Sequence, residues 1–388
     1  MVLSNENVRK SSIQNGMVFQ NIISRYHLEI CLIFFNPNKM LANAIAGLNR
    51  RLTTQLSHRF FTTVPIFQVD SFSNQPFQGN PAAVCLLPAS AAGEWPLDND
   101  ILLAIAAENN LSETAFLIPQ HTTSHHTSDA FTQESHFHLR WFTPTTEVDL
   151  CGHATLATAA VLLQKCNNTN ATLHFETKSG ELICSSNKSS SSNSSNETAI
   201  EMELPLNPPV VVESPASSHL ELVNVVLGNN EDSDNNNNNV DMNIVDNISY
   251  SSTTKKFVVT LDADKVDRSY LESLNPSATN LLSVNQDELG SENVKGVIVT
   301  LQDSDPHSDF DFISRYFAPW VGIEEDPVTG SAHTVIAPMW SQRFNNQIEM
   351  KSRQCSPRGG NCLLRMGASS LFISGEACVV LDGMLRID

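Results

Sequence analysis

The 388-residue chain is short of positive charge: 23 Lys and Arg stand against 42 Asp and Glu, a formal net charge of −19. So acidic a chain repels phosphate backbones and anionic headgroups, which argues against nucleic-acid or membrane-surface binding as its main task. Long hydrophobic runs are missing too. Stretches such as Ile30 to Phe35, six residues, and Ile101 to Ala107, seven, stop far below the roughly 18 of a membrane-spanning helix. The eight cysteines are scattered and form no CxxC pair. Neither a disulfide framework nor a zinc module is expected, and a reducing, cytoplasmic compartment is the simplest reading. No GxGxxG or Walker pattern occurs, so nothing points to a nucleotide.

What is present is enough apolar residue, 41%, to build folded domains, in a chain long enough for about two of them. The acidity is local. Glu197 to Asp326 holds 24 acidic and 6 basic residues, nearly the whole net charge. Residues 1–63 do not read as core. Within them, Met40 to Thr63 carries Arg50, Arg51 and Arg59 with many Ser and Thr and no acid. That composition suits a mitochondrial transit segment starting at Met40, or else a disordered extension.

From Val64 the pattern is regular. VPIFQVDSF alternates as a strand, FQGNPAAVCLLP reads as turn then strand, and Ile101, Leu102, Ile105 and Ala106 have helical spacing. LSETAFLIP and HLRWFTP read as strands. CGHATLATAAVLLQK follows, apolar and small on all sides, the mark of a helix buried all round. Two Asn/Ser-rich tracts read as surface insertions: residues 185–197, at a hairpin tip, and 228–239, in a connector. KKFVVTLDA, a short helix over Val266 to Leu274, VKGVIVTLQD, DFISRYFAPW, the long helix TGSAHTVIAPMWSQRF and two closing strands complete the chain.

The parallel between the two runs predicts a duplication: an α+β fold of two pseudo-symmetric halves, each a curved mixed sheet around one central helix. The expected limits are 64–208 for the first half, 209–254 for a linker and 255–388 for the second half.

The chemistry concentrates at the two helix openings, Asp149-Leu150-Cys151-Gly152-His153 and Glu325-Asp326-Pro327-Val328-Thr329-Gly330-Ser331. First-turn N–H groups lack intrahelical partners and sit at the positive end of the helix dipole. Each opening therefore suits an anion, and glycine allows close approach. Plain capping by Asp326 and Thr329 explains the same residues. Glu113, just inside a strand of apolar neighbours, is either a solvated strand-start carboxylate or a buried one. Burial would raise its pKa towards the range of a group that both takes and gives a proton.

Taken together, FQVDSFSNQPFQGNPAAVC, NLSETAF, RWFTPTTEVDLCGHATLA, DFISRYFAPWVGIEEDPVTGSAH and QCSPRGG, in that order, resemble the phenazine-biosynthesis-like isomerase family, in its eukaryotic branch with the MAWD-binding-protein-like members. The resemblance runs from about Val64 to Gly383. It implies the diaminopimelate-epimerase-like fold with the active site in the cleft between the halves. It also implies a cofactor-independent proton transfer of the kind that isomerises a dihydro-hydroxyanthranilate.

Carried over, the catalytic residues are Glu113, His153 and Asp326. Gly152 and Ser331 match the motifs as well, helix-start chemistry adds Thr329 and Gly330 beside Ser331 as contacts for a small carboxylate substrate, and Ser112 is a lesser candidate contact. A homodimer is implied, and no cofactor or metal. The related two-thiol epimerases hold one Cys at each opening. Here only Cys151 matches, so a racemase using Cys151 with Glu113 or Asp326 is a second reading, beside Cys151 as an ordinary buried thiol. A protein-interaction module with an inherited pocket is a third. His121, His125, His126, His136 and His138 cluster within a polar stretch without regular ligand spacing. His333 reads as core or as support for the site, and Arg358-Gly359-Gly360 as a hairpin turn.

Overall fold

The computed structural model describes residues 63–88, 95–120, 127–187, 199–228, 240–284 and 294–387. The segment read as extension or transit sequence, and most of both low-complexity tracts, lie outside them. β1 (Thr63–Ser71) pairs antiparallel with β2 (Asn80–Leu86). α1 (Asn99–Asn109) then crosses over, so β3 (Glu113–Pro119) lies parallel to β2. After α2 (Thr127–Gln133), β4 (His136–Phe142) returns antiparallel to β3 and meets the two-residue β5 (Glu147–Val148). α3 (Gly152–Gln164) is the second crossover. It delivers β6 (Thr172–Thr177) parallel to β4, and β7 (Gly180–Asn187) and β8 (Ala199–Pro205) extend the sheet antiparallel.

The chain then repeats itself. Beyond β9 (Val210–Val211) and α4 (Ser217–Leu227), β10 (Val245–Ser251) pairs with β11 (Lys256–Leu261) as β1 does with β2. α5 (Arg268–Ser273) and α6 (Ala278–Ser283) cross to β12 (Gly296–Gln302), parallel to β11. β13 (Phe312–Ala318), β14 (Ile323–Glu325) and α7 (Gly330–Arg343) repeat β4, β5 and α3. β15 (Glu349–Gln354), β16 (Gly360–Met366) and β17 (Ser370–Gly375) repeat β6 to β8 with the same senses of pairing. The halves join where β8 pairs with β17, and they exchange end strands: β9 pairs with β10, and the closing β18 (Ala377–Arg386) with β1. The eighteen described strands form one sheet. The α+β class and the duplicated architecture are as the sequence led us to expect.

Three boundaries differ from expectation. The 209–254 linker is largely structured: α4 buries Leu222, Val223, Val226 and Leu227 against the second half's strands, and β10 is part of the sheet. The Asn/Asp run inside this stretch obscured the helical spacing on either side of it. The last strand, assigned to the second half, completes the sheet of the first. Alternation marks a strand, but it cannot name a distant partner. The first insertion also starts later than read, since β7 continues through Asn187; its hairpin placement between β7 and β8 holds.

The two long helices are the axles of the fold. α3 buries every residue from His153 to Leu162, and α7 buries Gly330, Ala332 to Ala337, Trp340 and Ser341. Small side chains let the sheet close tightly over α3. Pro338 lies inside α7 and has no N–H for the carbonyl of Thr334. That carbonyl accepts instead from the Asn207 N–H at 3.0 Å, so the interruption leaves no buried polar group unpaired. The two helices meet at their N-termini: a Cβ placed on Gly152 would lie 3.8 Å from the Gly330 Cα.

Candidate active site

Both openings are aimed by matching ion pairs. Arg140 on β4 grips Glu147 through two bonds of 2.7 and 2.8 Å, and Arg315 on β13 grips Glu325 through two of 2.7 Å. Such forked pairs fix geometry as well as charge. Each anchors the turn that runs into α3 or α7, so the helix starts converge on one cavity of about 90 Å3. Its walls are Glu113, Cys151, Gly152 and His153 from the first half and Asp326, Thr329, Gly330 and Ser331 from the second, with Leu150, Leu204 and Ile323 as apolar sides. Among the described residues no Lys or Arg lines it. The charge available to an anion comes from the N–H groups of the two helix starts.

Glu113 opens β3 and is 8% exposed. Burial drives its pKa from 4.5 to about 7, against the opposing effect of hydrogen bonds from Ser112 and Cys151. Its Oε2 lies 3.2 Å from His153 Nε2 without the alignment of a hydrogen bond. His153 is buried, and burial pushes its pKa down although the Asp326 charge opposes this. Its Nδ1 is 3.5 Å from the Cys151 sulfur. Asp326 is lifted from 3.8 to about 6, again by burial first. Its Oδ1 accepts from Asn80 Nδ2 at 2.7 Å and its Oδ2 from the Thr329 hydroxyl. The Cys151 thiol is held well above its ordinary value by burial and by the Glu113 and Asp326 charges. It is therefore a thiol at neutral pH.

Of the residues singled out in the sequence, Glu113, Gly152, His153, Asp326, Thr329, Gly330 and Ser331 share this cavity. Ser112 does not line it. Its hydroxyl lies 3.3 Å from His153 Nε2 and from Asn80 Oδ1, and donates to the Pro81 carbonyl at 3.1 Å. It braces the imidazole from behind. Of the five clustered histidines, His121, His125 and His126 lie outside the described residues, and His136 and His138 stand on β4, away from this cavity. His333 is core: Nδ1 lies 2.9 Å from the Thr329 carbonyl, and burial lowers its pKa to about 4.

Sequence reasoning missed two buried amides. Asn80, taken as turn punctuation, holds both Asp326 and the Val328 carbonyl (2.8 Å). Gln354, the last residue of β15, donates to the Asp326 carbonyl at 2.5 Å and accepts from the Thr329 N–H at 2.9 Å. Arg358, read as a hairpin residue, also ties the halves together. It donates to the buried Asp70 at 2.7 Å and to the Gly79 carbonyl at 2.8 Å, one residue before Asn80.

The duplication makes the site's asymmetry legible. Cys151 and Thr329 are the equivalent N-caps of α3 and α7. Gly296 opens β12 as Glu113 opens β3, each paired to the preceding parallel strand. No acid could stand at Gly296: a Cβ there would lie 2.2 Å from the Tyr316 hydroxyl oxygen. The Tyr316 ring fills that space, and the buried Lys256 ammonium lies 5.5 Å from its centre.

Residues 69–383 match the family model described as phenazine biosynthesis-like protein. A human phenazine biosynthesis-like domain-containing protein is 44% identical over 328 residues, covering 83% of this chain and 99% of its own. An uncharacterised isomerase of Pseudomonas aeruginosa is 35% identical over 322 residues, covering 83% and 98%. Among solved structures, a phenazine biosynthesis protein of the PhzF family from Enterococcus faecalis superposes with a TM-score of 0.64 at 29% identity, over 84% of this chain and all of that one. This chain belongs to the phenazine biosynthesis-like family.

Proposed function

We propose that the chain is a cofactor-independent isomerase that relocates a proton on a small carboxylate substrate, with Glu113 as the single acid–base group. The observation that carries this reading is a carboxyl poised near pH 7 on a cavity flanked by two helix N-termini. At neutral pH such a group is present in both forms, so it can remove a proton from one carbon and return it to another. The double bonds shift between the two carbons, and no net oxidation occurs. The substrate carboxylate sits on the free N–H groups at Gly330 and Ser331, opposite those at Gly152 and His153. Neutral His153 and the hydrogen-bonded Asp326 hold the substrate's polar groups so that both carbons come within reach of Glu113. The isomerase name of the Pseudomonas relative agrees with this reading.

The racemase alternative needs an acid or base on each face. Thr329 stands where a second thiol would be, Gly296 where a second glutamate would be, and Cys151 holds its proton firmly. These three features favour one-sided chemistry over a pairing of Cys151 with Glu113 or Asp326. The test is solvent-deuterium incorporation, read by mass spectrometry over a panel of small carboxylates that includes cyclic dienes and amino acids. Label that appears with the native chain and vanishes with Glu113→Gln supports the proposal. Label that survives Glu113→Gln and dies with Cys151→Ala overturns it in favour of the racemase.

A further inference from the structure

On the outer face of the first half, three strands bring together donors that are far apart in sequence. His136 on β4 and His174 on β6 are direct partners in the parallel ladder, and their rings stack with centroids 4.4 Å apart and planes 2° from parallel. Glu181 on β7 reaches the pair, with Oε1 3.2 Å from His174 Nδ1. One ligand atom from each of the three lies within 4.8 Å of the other two. Phe137, Phe175 and Leu182, the next residues on the same strands, face the core, so the three donors face outward together. We propose that His136, His174 and Glu181 form a binding site for a borderline divalent cation, Zn²⁺ or Cu²⁺, which clips β4 to β6 and β7.

The donor chemistry selects the ion. Two imidazoles and a carboxylate suit zinc and copper better than calcium or magnesium, which prefer an all-oxygen shell. The donors are close together, and the two stacked rings have to tilt before both nitrogens point at one ion. Bonds of about 2.1 Å arranged tetrahedrally place donors about 3.4 Å apart. The carboxylate and the His174 nitrogen already satisfy this, and the second imidazole has to close by little more than about 1 Å. His136 and Glu181 are exposed, so their side chains can turn towards an ion by exchanging their present contacts with Ser135 and His174, while the backbone beneath is fixed by the ladder. The Ser135 hydroxyl lies 2.9 Å from His136 Nδ1, and water would complete the ion's coordination. The neighbouring His138–Glu176 pair, 3.1 Å apart one step along the ladder, is engaged with itself and with Gln120. The ladder that such an ion would reinforce is short, with three register pairs joining β4 to β6. The site is independent of the proton-transfer reading, because its residues face away from the core that carries the cavity.

The test uses the full chain purified without a histidine tag. Zn²⁺ is titrated against a chromophoric chelator, and Cu²⁺ binding is followed by electron paramagnetic resonance. The native chain should bind one equivalent that the His136→Ala/His174→Ala double variant lacks, with coupling from two nitrogens in the copper spectrum. Glu181→Gln should weaken binding at least about tenfold, the loss seen even when a group that merely supports a ligand is removed. Zn²⁺ should raise the melting temperature of the native chain and not that of the double variant, whose unchanged circular dichroism would show that it is folded. Equal stoichiometry and affinity in the native and double-variant chains would overturn the proposal, whatever the outcome of the deuterium experiment.

Discussion

Replacing Glu113 by Gln should change how stability depends on pH, with or without a known substrate. Burial lifts the Glu113 carboxyl from 4.5 to about 7. The folded protein therefore holds this proton more tightly than the unfolded chain does. A difference of about 2.5 units at 1.36 kcal/mol each is on the order of 3 kcal/mol. That stabilisation is fully present below pH 4.5, falls by about 1.4 kcal/mol per pH unit above it, and is gone once pH has passed through the folded value near 7. Gln has nearly the same volume and never ionises, so it carries no such slope. The stability of Glu113→Gln relative to the native chain should rise by about 3 kcal/mol between pH 4 and pH 8. Urea unfolding midpoints at several pH values measure it, because the slopes of most other groups cancel in the difference. Asp326, which feels the Glu113 charge, should shift the result in the same direction. A difference that stays flat from pH 4 to pH 8 would refute the claim that Glu113 is held protonated by its surroundings, and with it the reading of the site.

Asn80→Ala removes a neutral donor to the Asp326 carboxylate, a bond worth about 1.5–3 kcal/mol, and should raise the Asp326 pKa further, read from carboxyl carbon chemical shifts. Arg315→Met strands the Glu325 carboxylate and strips donors from the Leu271, Glu272 and Leu274 carbonyls. It should destabilise the fold by about 3–5 kcal/mol in denaturant melts, whereas a loss below about 1 kcal/mol would show the pair to be ornamental. Cys151→Ala should retain deuterium incorporation within about tenfold of native, since a thiol that keeps its proton is not the acid–base group.

The duplication could be read from the sequence because each half spells it locally: alternating strands, a crossover, an all-apolar helix with glycine in its first turn. Glu113, His153 and Asp326 were visible for a related reason. Each sits at the boundary of an apolar element, where a polar residue is conspicuous. Asn80 and Gln354 were not visible. A polar amide beside a turn or at a strand end carries no local signal, and what makes these two matter is a shared partner, Asp326, 246 residues from Asn80 and 28 from Gln354. The same limit hid the His136–His174 pair. The sequence showed five histidines close together, but the one that stacks on His136 arrives from another strand through the ladder. Helix α4 was lost for a different reason, since an adjacent Asn/Asp tract diluted its apolar spacing.

The exchange of end strands bears on how the protein is made. β1 is among the first segments of the fold to leave the ribosome, and the strand beyond it, β18, is the last. Until β18 has been made, β1 presents an open edge, a template for wrong pairing. Contacts between such distant segments also form slowly. The emergence of β18 thus acts as a checkpoint. A product cut short before Ala377 lacks the strand that covers the β1 edge of the half carrying Glu113, so such chains should be cleared or aggregate while chains that carry β18 close.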